Sequence, residues 1–368
     1  MDFLFNDEQQ MLLETTRRLI AKDYTFAHRM KVRDGSEGWS RDTWAQLADL
    51  GLLALTIPED DGGIGAGPIG AMLVSNAIGE GLLLEPFHAS AIVATQAIVQ
   101  LASDEQRAQW LPALASGETL AVLAHDAGKN IGVIATPDGN GWKLSGEKRA
   151  VYHADAADLL LVSANLKDSD EVALFALPAD AEGITRQGYR TVDDQRAANL
   201  DFNDVVASAE TRLGTDATEG LQAALDFGLA ALCAEAVGAL DRILAATIEY
   251  SRARNQFGVP IGSFQALQHR MADMLMYVEQ ARSMSYLAAS RCTDVDADVR
   301  RVALSAAKVS IGQAARFVGQ QAVQIHGGMG MTDELDVSHY FKRLTAFELR
   351  GGTTDAHLRG LARQLSSR

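Results

Sequence analysis

The chain has 368 residues, 47% hydrophobic and 22% charged, with a formal net charge of −15. That balance is globular and excludes a disordered chain, and the surplus of acid argues against nucleic acid or an anionic membrane as partner, since both need clustered Lys and Arg. The opening MDFLFNDEQQ has no basic stretch before an apolar one, and no run approaches the roughly 18–20 apolar residues of a membrane span, so a cytoplasmic location is expected. Cys233 and Cys292 lack metal-type spacing and read as reduced, buried thiols.

Residues 1–118 read as a helical domain. Asn6 and Gln9 form a reciprocal capping pair, and Met11, Leu12, Leu19 and Ile20 share the face that follows. A second helix carries Trp44, Leu47 and Leu50 and stops at Gly51, and Ser103 with Gln106 caps a third ahead of Trp110, Leu111 and Leu114. Over 119–215 the period changes to short β runs: TLAVLA (119–124), WKLSG (142–146), DLLLVSA (158–164) and EVALFAL (171–177). Turn clusters such as Asp138-Gly139-Asn140-Gly141 separate them, which predicts a small, mostly antiparallel β domain. The helical period returns over 216–368, with long helices expected at 218–252, 264–291 and 299–323.

Residues 65–70, Gly-Ala-Gly-Pro-Ile-Gly, match the dinucleotide pattern G-x-G-x-x-G, with Glu85 downstream. A phosphate loop needs its first glycine directly after a strand. Here Pro58, Glu59, Asp60 and Asp61 intervene, and three carboxylates would repel a diphosphate, so the segment reads as a surface loop.

Two later segments carry the chemistry: YSRARNQFGVPIGSFQALQHRMADM (250–274) and QAVQIHGGMGMTDE (321–334). Arg254 ends a long helix with a forked cation suited to a diphosphate. Phe257 supplies an apolar surface, and Gly258 allows a close turn. Gln265 opens the next helix, where an amide and free N–H groups can meet an anion. Gln324, Gly327 and Gly328 permit close approach of the backbone to a planar or phosphate group. With IPEDDGGIG (57–65) and GWKLSGEKRA (141–150), these strings make the chain resemble the acyl-CoA dehydrogenase family over nearly its whole length.

The resemblance implies an α+β fold: an N-terminal helical domain, a central antiparallel β-barrel-like domain and a C-terminal four-helix bundle. It implies FAD as cofactor, with Arg254, Phe257, Gln265, Gln324, Gly327, Gly328 and Thr353 at cofactor-binding positions, the ADP half being gripped for a flavin in a neighbouring subunit. The implied reaction is α,β-desaturation of an acyl-CoA, in which a glutamate takes the α-proton, the flavin takes the hydride and an electron-transfer flavoprotein reoxidises it.

The chain departs from the family where the base should be. Counting on from Gly330 to the usual glutamate reaches Gly351, and the alternative position in the first C-terminal helix is Gly228. Two nearby carboxylates, Asp226 and Glu348, could substitute for the base; the plainer readings are structural, Asp226 as a solvated helix residue and Glu348 as a surface or ion-paired one. Where the family stacks a Trp on the flavin, with a Thr two positions on, stand Ala150 and Tyr152, and Ala124-His125-Asp126 replaces a Thr-Glu-Pro-like turn. His125, His153 and His326 have no partner at metal or triad spacing; His326 adjoins the glycine pair, where a nucleotide contact is conceivable.

The expectation is therefore a partner subunit of an α2β2 heteromeric acyl-CoA dehydrogenase, resembling the small or non-catalytic subunit of pimeloyl-CoA or steroid side-chain types. No catalytic residue and no metal is assigned to the chain itself. The alternatives are a self-sufficient homomeric flavoenzyme with a displaced base, and a flavin-free acyl-CoA-binding scaffold.

Overall fold

In the computed structural model, residues 5–125, 132–169 and 171–366 are described. The chain forms two compact units: residues 1–30, 68–83 and 229–368 make the first, and 31–67 and 84–228 the second.

The first unit holds helices α1 (Asp7–Asp23), α2 (Phe26–Asp34, mostly in this unit) and α4 (Gly67–Gly81). To these are added most of α7 (Thr218–Ala253), with α8 (Gln265–Arg291), α9 (Ala297–His326), α10 (Asp336–Leu349) and α11 (Thr354–Ser366). The Asn6–Gln9 capping box opens α1 as its sequence predicts. Met11 is 62% exposed, however, so the α1 face is not a core face throughout. α4 and α7 cross backbone to backbone. A Cβ on Gly79 would lie 1.9 Å from Glu235 O, and one on Gly238 the same distance from Asn76 O, so both glycines are obligatory.

The length of α7 corrects one reading of the sequence. By length and composition it could cross a membrane, but 83% of its most apolar window is buried within the chain, as in the core helix of a globular protein.

The second unit contains α3 (Arg41–Asp49), α5 (Thr95–Leu101) and α6 (Asp104–Ala115), the last opened by the Ser103–Gln106 capping box. A π-helical turn over Phe87–Ala94 leads into α5. Trp44 and Leu47 are buried on α3, and Gly51 takes the left-handed conformation that ends it. The glycine-rich stretch at 65–70 follows a 3₁₀ turn over Glu59–Asp61, not a strand, and runs into α4.

The sheet consists of β1 (Ala121–Ala124), β2 (Val133–Asp138), β3 (Gly141–Tyr152), β4 (Leu159–Leu166), β5 (Val172–Pro178), β6 (Ile184–Arg190), β7 (Arg196–Ala207) and β8 (Arg212–Leu213). Their order is β6-β7-β3-β2-β4-β5-β8, with β1 on β4. The β1–β4 and β2–β4 pairings are parallel and the rest antiparallel, so the sheet is mixed. β7 offered little β signal because Asn199, Asp201, Asn203 and Asp204 interrupt it, yet it pairs along both edges, with β3 and β6. Both cysteines are free and buried.

Candidate functional site

The candidate residues of the first unit begin where α7 ends. The Arg254 N–H donates to Tyr250 O at 2.8 Å, closing the helix. The chain then reverses, pairing Gln256 with Val259 and Asn255 with Pro260, so Phe257 and Gly258 form the tip of a tight hairpin. Both tip residues have positive φ, +55° and +84°. Gly258 adopts this freely; a phenylalanine there is strained. The Phe257 ring is 92% exposed, touched at its edge by Phe264 at a centroid distance of 6.2 Å. Ile261 anchors the return, and Gln265 opens α8.

Gln324 lies exposed in the last turn of α9, followed by Gly327 and Gly328. A Cβ built on either glycine meets nothing within 4 Å, so the backbone there faces open space that can admit a flat or phosphate-bearing group. Gly330 differs: a Cβ would lie 2.9 Å from Val323 O, which marks it as a packing glycine. His326 is a post beneath this turn. Its Nδ1–H donates to Ala322 O at 2.8 Å, its ring packs tilted by 30° against Tyr250 at 4.2 Å, and burial lowers its pKa, which keeps the imidazole neutral. Arg270 Nη1 donates to Gln321 Oε1 at 3.1 Å, tying the start of α8 to the end of α9. Arg254, Phe257, Gln265, Gln324, Gly327 and Gly328 thus gather at one end of the α8–α9 pair. A guanidinium, two carboxamides and a bare backbone turn beside an exposed ring are a set of groups that fits a nucleotide diphosphate.

Thr353 stands apart from them. The turn it occupies packs on α9 near Gly312, where a Cβ would lie 2.5 Å from Thr354 Oγ1, and Gly312 is roughly 18 Å along the helix from Gln324. The Thr353 hydroxyl accepts from Ala356 N–H at 3.2 Å and so caps α11.

That turn, Arg350–Thr353, is held from several sides. Lys308 is fully buried on α9, and its ammonium donates to Phe347 O (2.9 Å), Gly352 O (2.8 Å) and, more distantly, Glu348 O (3.4 Å). Its charge thereby caps the negative C-terminal end of α10. The Glu348 carboxylate accepts from Thr354 N–H at 2.8 Å and from the Thr354 hydroxyl at 2.7 Å. His357 donates Nε2–H to Gly351 O at 2.8 Å while Ser305 Oγ lies 3.0 Å from Nδ1. Arg350 approaches Glu235 to 4.0 Å, beside the buried Glu235–Arg343 pair at 2.6 Å. Sequence reasoning missed this brace. Its signal was Lys308, a lone cation on the α9 face otherwise made of Leu304, Ala307, Ile311 and Ala315.

Both positions where the resemblance places a base are glycines fitted to their surroundings. Gly351 has φ +65°, and a Cβ on it would lie 2.9 Å from Leu229 Cδ1. In the second unit, a Cβ on Gly228 would lie 2.6 Å from Val93 Cγ2, and the Gly228 carbonyl accepts from His88 Nε2–H at 2.9 Å. Neither carboxylate named as a substitute stands idle. Glu348 serves Thr354. Asp226, read from the sequence as solvated, is instead only 8% exposed and accepts from Gln222 Nε2–H at 2.8 Å, because α7 is covered on more faces than its composition implied.

The β domain also differs from a ring-stacking platform. The β3–β7 register shifts between Lys148 and Val151, placing Ala150 in a bulge at φ +53°, where its N–H donates to Asn199 Oδ1 at 3.1 Å. Arg149 pairs there with Glu147 and with Asp201. Lys148 is buried and donates to Ser163 Oγ at 3.1 Å; the same hydroxyl lies 3.0 Å from His125 Nδ1 and 3.3 Å from Ala124 O. Burial, with the Lys148 charge beside it, lowers the His125 pKa to about 4. His153, at φ +58°, is 2% exposed. Asp126 lies outside the described residues. Among the described residues no cluster of His, Cys, Asp and Glu could hold a metal ion.

Residues 6–118 match the acyl-CoA dehydrogenase N-terminal domain and residues 219–366 the acyl-CoA dehydrogenase C-terminal domain. Among similar proteins of Mycobacterium tuberculosis, acyl-CoA dehydrogenase FadE27 is 29% identical, with 100% of this chain and 99% of the relative aligned. Acyl-CoA dehydrogenase IpdE2 is 30% identical over 92% of this chain and 91% of its own. A chain of the ChsE4-ChsE5 complex from the same organism superposes with a TM-score of 0.91 at 27% identity, covering 100% of both chains. The chain belongs to the acyl-CoA dehydrogenase family, FAD-dependent oxidoreductases that act on CH–CH bonds.

Proposed function

We propose that this chain is the partner subunit of a heteromeric acyl-CoA dehydrogenase, and that it supplies the ADP-binding half of the FAD site to a related catalytic chain in an α2β2 assembly in the cytoplasm. When bound, FAD accepts the hydride removed from the acyl-CoA β-carbon, and an electron-transfer flavoprotein returns the flavin to its oxidised state. In this reading Arg254 holds the diphosphate by charge, Phe257 covers the adenosine, and Gln265, Gln324 and the Gly327-Gly328 backbone orient the nucleotide. Thr353, whose turn lies away from that surface and whose hydroxyl caps α11, has no part in it.

The observation that carries the reading is an asymmetry. The nucleotide-type groups lie exposed and unobstructed, while both base positions are glycines and the turn around one of them is bolted by Lys308 and Glu348. A missing base costs a factor of roughly 10² to 10⁴ in rate, which a self-sufficient enzyme would not retain. The ChsE4-ChsE5 complex, whose chain is similar over its full length, supports a two-chain assembly.

The test is co-purification with its physiological partner, followed by a count of flavin per polypeptide from absorbance and amino-acid analysis. The proposal expects one flavin per two chains in the complex and a nearly colourless protein when this chain is purified alone. One flavin per chain in a homomer, with turnover, would establish the self-sufficient alternative. A complex that stays colourless would establish the scaffold.

A further inference from the structure

Arg254 and the turn from Gln324 to Gly328 stand at the ends of two different helices, α7 and α9. A diphosphate held by both needs their separation fixed. Tyr250 spans that gap. It lies in the last turn of α7, and its carbonyl accepts the Arg254 N–H at 2.8 Å. Its ring lies 4.2 Å from the His326 ring, tilted by 30°, and its hydroxyl donates to His326 O at a long 3.5 Å.

His326 is itself fixed. It is 4% exposed, and its Nδ1–H donates to Ala322 O at 2.8 Å, one turn back on α9. The next residue, Gly327, donates its N–H to Gln324 O and closes the helix. The His326 ring therefore belongs to the same turn that presents Gln324 and the bare Gly327-Gly328 backbone. The end of α7 is seated from a second direction as well. Ser251 is 1% exposed and donates its hydroxyl to Ile248 O at 2.7 Å, and a Cβ on Gly262 would lie 2.9 Å from the same hydroxyl oxygen. Ile261 N–H donates to Arg254 O at 2.8 Å. The hairpin and α9 thus meet the end of α7 at two adjacent residues, Ser251 and Tyr250. An aromatic pair suits the α9 contact, because two flat rings with few torsions hold a defined spacing.

We propose that Tyr250 is a positioning residue for the nucleotide: its ring, packed on His326, sets the distance between the Arg254 end of α7 and the glycine turn of α9, so that one diphosphate meets both. The inference rests on the reading of these two groups as the nucleotide surface. Tyr250 acts through them and does not touch the ligand. A misplacement of about 1 Å is enough to forfeit much of what a preformed site gains.

FAD titrated by fluorescence into the flavin-stripped complex tests it, with urea unfolding of each variant alongside. Tyr250→Leu removes the ring and should weaken FAD roughly tenfold. Tyr250→Phe keeps the ring, loses only the long hydroxyl contact and should stay within about threefold of the parent. The double variant with Arg254→Gln separates aiming from general stability. Once the guanidinium is gone there is nothing to aim, so adding Tyr250→Leu should cost less than about threefold more. Should Tyr250→Leu not fold, His326→Asn removes the opposite ring and carries the same expectations. Losses that multiply independently in the double variant, a Leu variant as tight as the parent, or a Phe variant as weak as the Leu one would overturn the role of Tyr250. Arg254→Gln leaving FAD binding unchanged would instead overturn the nucleotide reading on which that role rests.

Discussion

Arg254→Gln separates holding a nucleotide from holding the fold. The guanidinium is exposed and, among the described residues, makes no ion pair or side-chain hydrogen bond, so folding has little to lose. A surface change of this kind shifts stability by no more than about 0.5 kcal/mol. A charge-assisted bond to a diphosphate contributes about 1.5–3 kcal/mol, which corresponds to a roughly 10- to 150-fold weaker flavin Kd. Glutamine retains length and one amide donor, so the loss reports charge and fork geometry and not packing. Titrating FAD into flavin-stripped complex by fluorescence, beside urea unfolding of the same preparation, gives both numbers. A Kd that changes less than threefold, or a variant that unfolds well before its parent, would refute the assignment of Arg254 to the nucleotide.

Further outcomes follow from other parts of the structure. Lys308→Met removes three carbonyl bonds from a fully buried ammonium, and since buried carbonyls left unpaired outweigh the relief of burying no charge, a loss of about 3–5 kcal/mol in urea unfolding is expected. Gly238→Ala drives a methyl against Asn76 O on the facing helix and should cost about 3 kcal/mol or more by the same measurement; a neutral result would mean the α4–α7 crossing is looser than it looks. Gly351→Glu should add no acyl-CoA turnover with an artificial electron acceptor, because the left-handed backbone and Leu229 oppose the side chain; measurable turnover by the single chain would contradict the partner-subunit proposal. His125 titrates in the folded chain at about 4 against an ordinary 6.5, so the unfolded chain binds the extra proton first. Its stabilising contribution is complete above pH 6.5 and is lost as pH falls toward 4, a loss of roughly 3 kcal/mol. Acid unfolding of His125→Gln should therefore be shallower than that of the parent across this interval; parallel curves would sink the argument.

The sequence alone determined whatever depends on local spacing. The capping boxes at Asn6 and Ser103, the long α7, α8 and α9, the strand runs of β4 and β5 and the Arg254-to-Gln265 string are each written within one or two turns of chain, where neighbouring residues set backbone geometry directly. The glycines at the two alternative base positions, Gly351 and Gly228, were legible for the same reason, since a glycine is a glycine in any fold. What only the tertiary structure decided concerns groups whose meaning comes from distant partners. β7 became a central strand through pairing on both edges, against its own weak preference. Asp226 became buried, and Lys308, some forty positions from the turn it bolts, became a helix cap. Thr353 was separated from the other nucleotide-type residues because a turn's place on α9 is set by packing, and Tyr250 and His326, 76 positions apart, were brought ring to ring from the ends of two helices. Burial and long-range pairing depend on which surfaces meet, and no window of the chain contains that information.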